Sequence, residues 1–505
     1  MSTSSNPGAV PRLAGEQWLA LGRAMHGAGR YGEAVNALQR AAAQLPLDLD
    51  VYRALVAALD AGGQVADAAS ARIGIDAIER RRAVDLFEIG RVYARHKQWD
   101  AAGHWLERAL MIEPGLHVAH ICMAWVLRQL GLRHGSGRHA CRVYRGQRAF
   151  AEARRGRRRR TVLIVCSSGY ANVPFRHLVP PALNRVIHWV IDLGAVGIGW
   201  GRSRALPPYD IAFNVIGDAD LGAFCRAELA QFAERATRPM LNRPERIAET
   251  TRERIKGLLD GIRGIYVPTT CRWDGGHRTA GDVHAAIAAA GIGYPVITRP
   301  AGEHGGKGVV LLTGPEDAPT PPQAASHDSS ATPASSHDSS AALSSSEPPL
   351  VPPTGEIYLT AYHEYRSADG YYRKYRVIFI DRQPYPYHLA IGKQWLLHYF
   401  SADMLSEPWK LQEERRFLEN PRAALGAQAW TALCAIGARM DLDYCGIDFT
   451  LLPDGRVLVF ETNATMLVHP EVEDDGLRFK NVYIQKIFDA LDELMRRRMA
   501  AEAAA

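Results

Sequence analysis

The sequence lacks the features that mark secreted and membrane proteins. Its seven cysteines are scattered singly and none has CxxC spacing, so neither a zinc site nor a redox dithiol is indicated. The most apolar later stretch, residues 186–200, is interrupted by His188, Asp192 and glycines, which argues against a transmembrane helix. The first 13 residues have no apolar core of a signal peptide. These absences predict a cytoplasmic protein with free thiols and no membrane partner.

A strong excess of one charge is also absent. The chain of 505 residues has 60 basic and 54 acidic residues, a net charge of +6, which does not indicate a nucleic-acid-binding protein. A basic run at residues 154–160 would suit a nucleic acid or an acidic partner. Because no aromatic residues for base stacking are interleaved with it, we interpret residues 136–160 as a basic interdomain linker.

The first part of the chain repeats itself. A set of seven residues recurs 68 positions later: Trp18, Leu21, Gly22, Ala34, Leu38, Ala41 and Pro46 correspond to Leu86, Ile89, Gly90, Ala102, Leu106, Ala109 and Pro114. A spacing of two 34-residue periods resembles the tetratricopeptide repeat (TPR), whose small residues let paired helices approach closely. We therefore predict an all-α TPR-like domain at residues 14–135, capped by a helix at 118–132.

The resemblance to TPR proteins implies a surface that recruits a protein or peptide partner. The alternative is a helical hairpin array without a specific ligand.

After the linker, strand-like and helix-like segments alternate. Residues 161–165 and 210–216 have strand patterns and residues 221–236 have a helix pattern, so a small parallel α/β domain is expected at 161–262. A second domain follows at 263–498. Within it, residues 318–353 are rich in Ser, Ala and Pro and contain SHDSSA twice, which predicts a disordered insertion between strands that belong together.

A predicted hairpin at residues 446–463 gathers polar groups on one face. If Leu452 pairs with Val457 around the turn, Asp448 lies opposite Glu461 and Phe449 faces Phe460 on the other side. Two directly opposed carboxylates repel unless a cation lies between them, and their hard oxygens suit Mg²⁺. Strand alternation places Asn463 on the Glu461 side. The alternative is an exposed hairpin end with incidental acids.

A glycine-rich segment at residues 302–308 lies between two predicted strands. Its glycines would let backbone N–H groups approach phosphate oxygens, while Arg299 and Lys307 supply positive charge. It is not a Walker loop, since no GxxxxGK[ST] is present and a strand follows it.

In this order, the two segments resemble the ATP-grasp family. The family shows a basic residue at the end of a strand, a mobile glycine-rich loop, a hinge over adenine and a late Asp…Glu-x-Asn metal cluster. The matching residues here are Arg299; His304, Gly305, Gly306, Lys307 and Gly308; the hinge 359–365 with His363, Glu364 and Tyr365; and Asp448, Glu461 and Asn463. Arg376 resembles the family's phosphoryl-binding arginine, although Lys374 stands where an acid is common.

The resemblance implies an α/β (α+β) ATP-grasp fold behind the helical repeats, with ATP and Mg²⁺ (or Mn²⁺) as cofactors. It also implies an ADP-forming ligase that phosphorylates a carboxylate and joins it to an amine, with Arg376 and Lys307 as catalytic residues. The acid would be a small molecule or a peptide. Two alternatives are a catalytically degenerate TPR scaffold and an ATP-grasp kinase or phosphotransferase. Lys393, Trp395 and His398 would line an acceptor pocket or merely pack.

Overall fold

The computed structural model describes residues 14–130, 132–146, 149–152, 160–167, 171–191, 206–274, 280–302, 306, 308–317, 356–472 and 475–503. The chain divides into two compact units, residues 1–147 and 148–505. Among the described residues, no helix has the length and apolar character that crossing a membrane requires.

The described part of the first unit is built from four helical hairpins. They are α1 (Gly15–Gly27) with α2 (Tyr31–Gln44), α3 (Leu49–Ala61) with α4 (Val65–Glu79), α5 (Ala83–Arg95) with α6 (Trp99–Ile112), and α7 (His117–Gln129) with α8 (Arg133–Gly146). Their first helices begin at residues 15, 49, 83 and 117, each 34 after the last. The predicted TPR-like repeat is therefore confirmed.

Residues 68 positions apart make the same contact in different hairpins. A Cβ added to Gly22 would lie 2.5 Å from Leu38 Cγ, and one added to Gly90 would lie 2.9 Å from Leu106 Cγ. Both leucines are fully buried. The repeated glycines thus allow the two helices of a hairpin to approach closely enough to bury a leucine between them.

The helix predicted as a cap is the first half of a fourth hairpin. Its partner α8 occupies the beginning of the predicted linker, where Ser136 Oγ donates to the Ala124 carbonyl at 2.7 Å and Val143 is fully buried. Glycine and basic residues made this segment resemble a linker. The end of the predicted linker is also structured, because Arg160 is buried and forms an ion pair with Asp492. Residues 153–159 lie outside the described residues.

The second unit begins with a five-stranded sheet in the order β1-β3-β2-β4-β5. Its strands are β1 (Ala149–Ala151), β2 (Arg160–Cys166), β3 (Asn184–Val190), β4 (Ile211–Asn214) and β5 (Met240–Leu241). Strands β2 to β5 are parallel and β1 is antiparallel. Helix α9 (Arg226–Arg235) contributes Leu229 and Phe232 to its core. This is the α/β fold predicted for the segment, with β3 as a strand that the sequence pattern did not reveal.

A four-stranded antiparallel sheet follows, in the order β7-β10-β8-β9. Its strands are β7 (Thr270–Trp273), β8 (Val296–Pro300), β9 (Val310–Leu312) and β10 (Ile357–Ala361). Helix α12 (Ala280–Ala289) packs on it through Val283 and Ile287, which share a core with Val296 and Leu312.

A second five-stranded sheet carries most of the remaining chain, in the order β12-β11-β13-β14-β6. Its strands are β6 (Ile265–Tyr266), β11 (Tyr372–Ile380), β12 (Gln383–Gly392), β13 (Tyr444–Leu451) and β14 (Val457–Asn463). The accompanying helices are α10 (Pro244–Ile247), α11 (Arg252–Leu258), α13 (Pro408–Glu419), α14 (Pro421–Leu425), α15 (Ala427–Met440) and α16 (Asn481–Ala503). Its core includes Phe379, Phe417 and Ile436.

The predicted insertion, residues 318–353, lies outside the described residues, but the strands on either side of it belong to one sheet. Strands β9 and β10 pair with opposite edges of β8, and both run antiparallel to it. They are therefore parallel to each other with β8 between them, and the chain that joins them must cross β8. A parallel connection of this kind needs about a dozen residues.

We predict that the insertion can be shortened but not closed tightly. Replacing residues 318–353 by roughly a dozen Gly and Ser residues should leave stability nearly unchanged, because loop-closure entropy varies slowly with length. A second variant, in which residue 317 is joined directly to residue 354, should be less stable, since only the eight residues 313–317 and 354–356 would remain to cross β8, fewer than the dozen or so that such a crossover needs. Thermal unfolding of the two variants beside the intact protein tests this. Equal stability of the two variants would contradict the sheet order.

Candidate functional site

A cavity of about 180 Å³ is lined by residues of both the four-stranded sheet and the second five-stranded sheet. Several residues singled out in the sequence line it: Arg299, Gly306, His363, Tyr365, Arg376, Asp448 and Glu461. They come from separate strands and loops, so the fold brings together what the sequence only suggested. Trp395 and His398 also line the cavity, whereas Lys393 does not.

Four polar side chains form a row across the second five-stranded sheet. His388 of β12 pairs with Arg376 of β11, Arg376 with Asp448 of β13, and Asp448 with Glu461 of β14. Two β-bulges lie directly next to this row. One shifts the β11–β12 register after Arg376, and the other shifts the β13–β14 register after Asp448. Bulges re-aim side chains within a ladder, and here they flank the positions where the charged groups meet.

The predicted opposition of Asp448 and Glu461 is observed, but between this pair and the turn the register differs from the prediction by one residue. Phe449 pairs with Val459 instead of Phe460, and Leu451 pairs with Val457. The turn is tighter than predicted: Leu452 N–H donates to the Arg456 carbonyl at 2.9 Å, and Gly455 has φ +80°. The bulge adds one residue to β14 and so restores the pairing of the two carboxylates.

Asp448 is almost fully buried and is held by two cations. Arg376 donates from Nε to Oδ1 at 2.6 Å and from Nη2 to Oδ2 at 2.9 Å, and Lys374 Nζ lies 3.3 Å from Oδ2. Burial alone would raise the pKa of Asp448. The combined effect of Arg376 and Lys374 is larger and opposite, so the pKa lies well below the ordinary range of a carboxyl. The carboxylate is therefore ionised at any pH near neutrality.

Glu461 is held by two cations from other parts of the fold. Arg252, at the start of α11, forms an ion pair with its Oε2, and Arg299 Nη1 approaches the same oxygen at 3.5 Å. Burial lowers the pKa of Arg299 to about 10, with Arg252 adding to the effect and Glu461 opposing it. No sequence pattern indicated Arg252, because it lies in no motif and reaches Glu461 only through the fold.

The proposed metal ligands fit Mg²⁺ in their donor chemistry, since two opposed carboxylates and an amide offer hard oxygens. In this structure those oxygens have other partners. Both oxygens of Asp448 accept from cations, and Asn463 Oδ1 accepts from Thr465 N and Oγ1, each at 2.9 Å. Within the described ranges, no group of three or more His, Cys, Asp or Glu residues is placed to hold a metal ion.

The glycine-rich loop reaches the cavity at Gly306. This residue has φ +76°, and a Cβ there would clash with His398 Nε2, so only glycine fits. Burial, Lys374 and Arg299 lower the pKa of His398, which favours its neutral form. Gly308 has φ +68° but does not line the cavity. His304, Gly305 and Lys307 lie outside the described residues.

The hinge predicted at residues 359–365 joins the two sheets and carries aromatic rings. Tyr365 packs against Phe460 at 4.9 Å between ring centroids, and His363 lies 4.8 Å from the Tyr266 ring. Glu364 is exposed, and its Oε1 accepts from the N–H groups of Tyr365 and Arg366. Its carboxylate thus stabilises its own turn and does not line the cavity.

Comparison with known proteins gives similarity in structure only. No family model and no curated protein matches the chain. D-alanine–D-alanine ligase from Bacillus anthracis, solved with ATP, is 10% identical with a TM-score of 0.36 and covers 68% of this chain and 99% of its own. Carboxyaminoimidazole ribonucleotide synthase from Aspergillus clavatus, also with ATP, is 13% identical with a TM-score of 0.35 and covers 65% and 77%.

The ATP-grasp ligase PsnB, solved with a precursor peptide and AMPPNP, is 15% identical with a TM-score of 0.32 and covers 66% of this chain and 97% of its own. Identity and TM-score are too low to carry an argument about activity, which has to come from the arrangement of this chain's own residues.

The buried ion pairs of Asp448 predict a pH-dependent stability. A carboxyl whose pKa is lowered by folding stabilises the protein above its unfolded pKa, about 3.9, and loses this contribution as the pH falls further. Asp448→Asn should therefore destabilise the protein by roughly 3 kcal/mol at neutral pH, because it leaves Arg376 without its anion. The difference from wild type should shrink below about pH 4.

Urea unfolding of both proteins between pH 7 and pH 3 measures this difference. Asp454→Asn is the matched control, because Asp454 lies in the exposed turn of the same hairpin and pairs only locally with Arg456. It should change stability little. A difference for Asp448→Asn that grows on acidification would contradict the assigned ion pairs.

Proposed function

We propose that the protein is an ATP- and Mg²⁺-dependent carboxylate–amine ligase. The reaction would transfer the γ-phosphoryl group of ATP to a substrate carboxylate, and an amine would then attack the acylphosphate to give an amide, ADP and phosphate. The observation that carries this proposal is the convergence of an aromatic hinge, a glycine-rich loop, four cations and two opposed carboxylates on one cavity.

Two groups of residues in the cavity lining would have different tasks. The hinge residues His363 and Tyr365 offer backbone and aromatic surface to a base, which suits the adenine of ATP. Arg299, Lys374 and Arg376 would offset the charge of the transferred phosphoryl group. This transfer depends on positioning and electrostatics more than on covalent participation of the protein, and that agrees with a cavity lining that has several cations.

Asp448, Glu461 and Asn463 would hold Mg²⁺, which neutralises phosphate charge when bound. The glycine-rich loop would cover the phosphates, with Lys307 and the N–H groups of the loop donating to phosphate oxygens. Closure of this loop would exclude water that could hydrolyse the acylphosphate. Manganese would serve the same ligands in place of magnesium. The contacts of Glu364 do not support a direct role for it in nucleotide binding.

We further propose that the TPR-like unit recruits a protein or peptide partner. The support is the array of four hairpins with its 34-residue period, an architecture that presents extended binding surfaces. In that case the helical unit would recruit a peptide substrate for the ligase. Calorimetry of candidate peptides binding to residues 14–146 alone would test this role.

We predict cleavage of ATP to ADP and phosphate. Pairs of carboxylates and amines should be screened for ADP release, with mass spectrometry of the product. If the acid carries ¹⁸O in its carboxylate, label should appear in the released phosphate, because that oxygen bridges carbon and phosphorus in an acylphosphate. AMP as the nucleotide product would rule out this mechanism, a stable phosphoester would indicate a kinase, and absence of nucleotide binding would indicate a degenerate scaffold.

Substitutions should separate the roles within the site. Asp448→Ala and Glu461→Ala should abolish Mg²⁺-dependent turnover in folded protein, whereas Asp454→Asn in the same hairpin should not. Lys307→Ala should lower turnover by about 10²- to 10³-fold, as expected for the loss of one electrostatic donor. Full activity of a folded Asp448→Ala variant would show that the hairpin is not the metal site.

A further inference from the structure

Lys374 occupies a position where the family resemblance leads one to expect an acid. It lies two residues before Arg376 on β11, and strand alternation places both side chains on the same face. The Lys374 side chain is only 13% exposed, and its Nζ lies 3.3 Å from Asp448 Oδ2. A cation thus lies directly beside a proposed metal ligand.

Lys374 and Arg376 together occupy both oxygens of Asp448. Arg376 makes a bidentate contact at 2.6 Å and 2.9 Å, and Lys374 adds an ion pair to Oδ2 at 3.3 Å. Charge-assisted bidentate pairs of this kind are among the stronger contacts in proteins. A metal ion that approached Asp448 would have to displace these donors and meet their positive charge.

Displacing the donors is unfavourable unless an anion receives them. A cation removed from its carboxylate in a site of such low exposure is left uncompensated. The oxygens of a polyphosphate would receive Lys374 and Arg376 and free the Asp448 carboxylate at the same time. The exchange replaces one set of charge-assisted contacts by another.

We propose that Lys374 makes metal binding conditional on the polyphosphate: the metal site forms only when phosphate oxygens draw Lys374 and Arg376 away from Asp448. The inference rests on the proposed function for the placement of phosphates and metal. Linkage requires that the effect is reciprocal, so the metal strengthens polyphosphate binding by the same factor.

The test uses Mn²⁺ as the metal and AMPPNP as the polyphosphate, with the free ion measured by electron paramagnetic resonance. In wild type, Mn²⁺ should bind about 5- to 150-fold more tightly with AMPPNP than without it. Chelation by phosphate alone would also give such coupling, so the decisive measurement is made without nucleotide. There, Lys374→Met should raise Mn²⁺ affinity about tenfold, equivalent to about 1.4 kcal/mol, and reduce the coupling.

Lys393→Met is the matched control, because it removes one positive charge from an exposed side chain that lies over the Tyr371 ring and does not line the cavity of Asp448 and Glu461. It should leave Mn²⁺ binding unchanged. Lys374→Gln provides a second variant if the methionine variant is less stable, and thermal unfolding identifies that case.

The outcomes separate this inference from the proposed function. If Mn²⁺ binds nucleotide-free wild type and the Lys374 variants equally, Lys374 does not control the site and the inference is wrong. An equal gain in Lys393→Met would also overturn it, because general charge would then explain the effect. If AMPPNP fails to bind wild type but Lys374→Met binds Mn²⁺ more tightly, the result supports the inference that Lys374 keeps the metal from Asp448, and the proposed function fails.

Discussion

The opposition of Asp448 and Glu461 across two strands is the constraint on which the rest of the site depends. Two neighbouring carboxylates of low exposure require cations, and the fold supplies them from three directions. β11 contributes Lys374 and Arg376, α11 contributes Arg252, and the four-stranded sheet contributes Arg299. The carboxylates therefore tie together elements that lie far apart in the chain, and the contact of Arg299 with Glu461 links the four-stranded sheet to the second five-stranded sheet.

Backbone irregularities make this opposition compatible with the hairpin turn. Gly455 at φ +80° allows a turn with three residues between Leu452 and Arg456. Continued without interruption, that register would place Phe460 opposite Asp448. The bulge after Asp448 corrects the register by one residue, so Phe449 stays in the core, stacked on Tyr375 at 5.3 Å, while the carboxylates remain together.

Local patterns in the sequence predicted the repeat period, the strand–loop–strand segment and the hairpin that opposes Asp448 and Glu461, because each depends on residues close in the chain. They could not predict Arg252, since its contact with Glu461 spans 209 residues. They also assigned Glu364 and Asn463 by position in a motif, whereas in the structure both side chains accept hydrogen bonds from backbone N–H groups one or two residues later. Helix α8 was missed because its glycines outweighed the few apolar positions that pack it.

The charge of the site also limits what it can accommodate. Four cations surround two carboxylates, so the described side chains around the row leave an excess of positive charge. Such an excess, held in a cavity of low exposure, is costly without an anion and favours a polyanionic ligand over a neutral or cationic one. The same excess would lower the affinity for a metal ion that arrives alone. Under the proposed function, a site of this kind would select the metal and the polyphosphate together, and Lys374 would increase this selection, because a carboxylate in its place would attract the metal by itself.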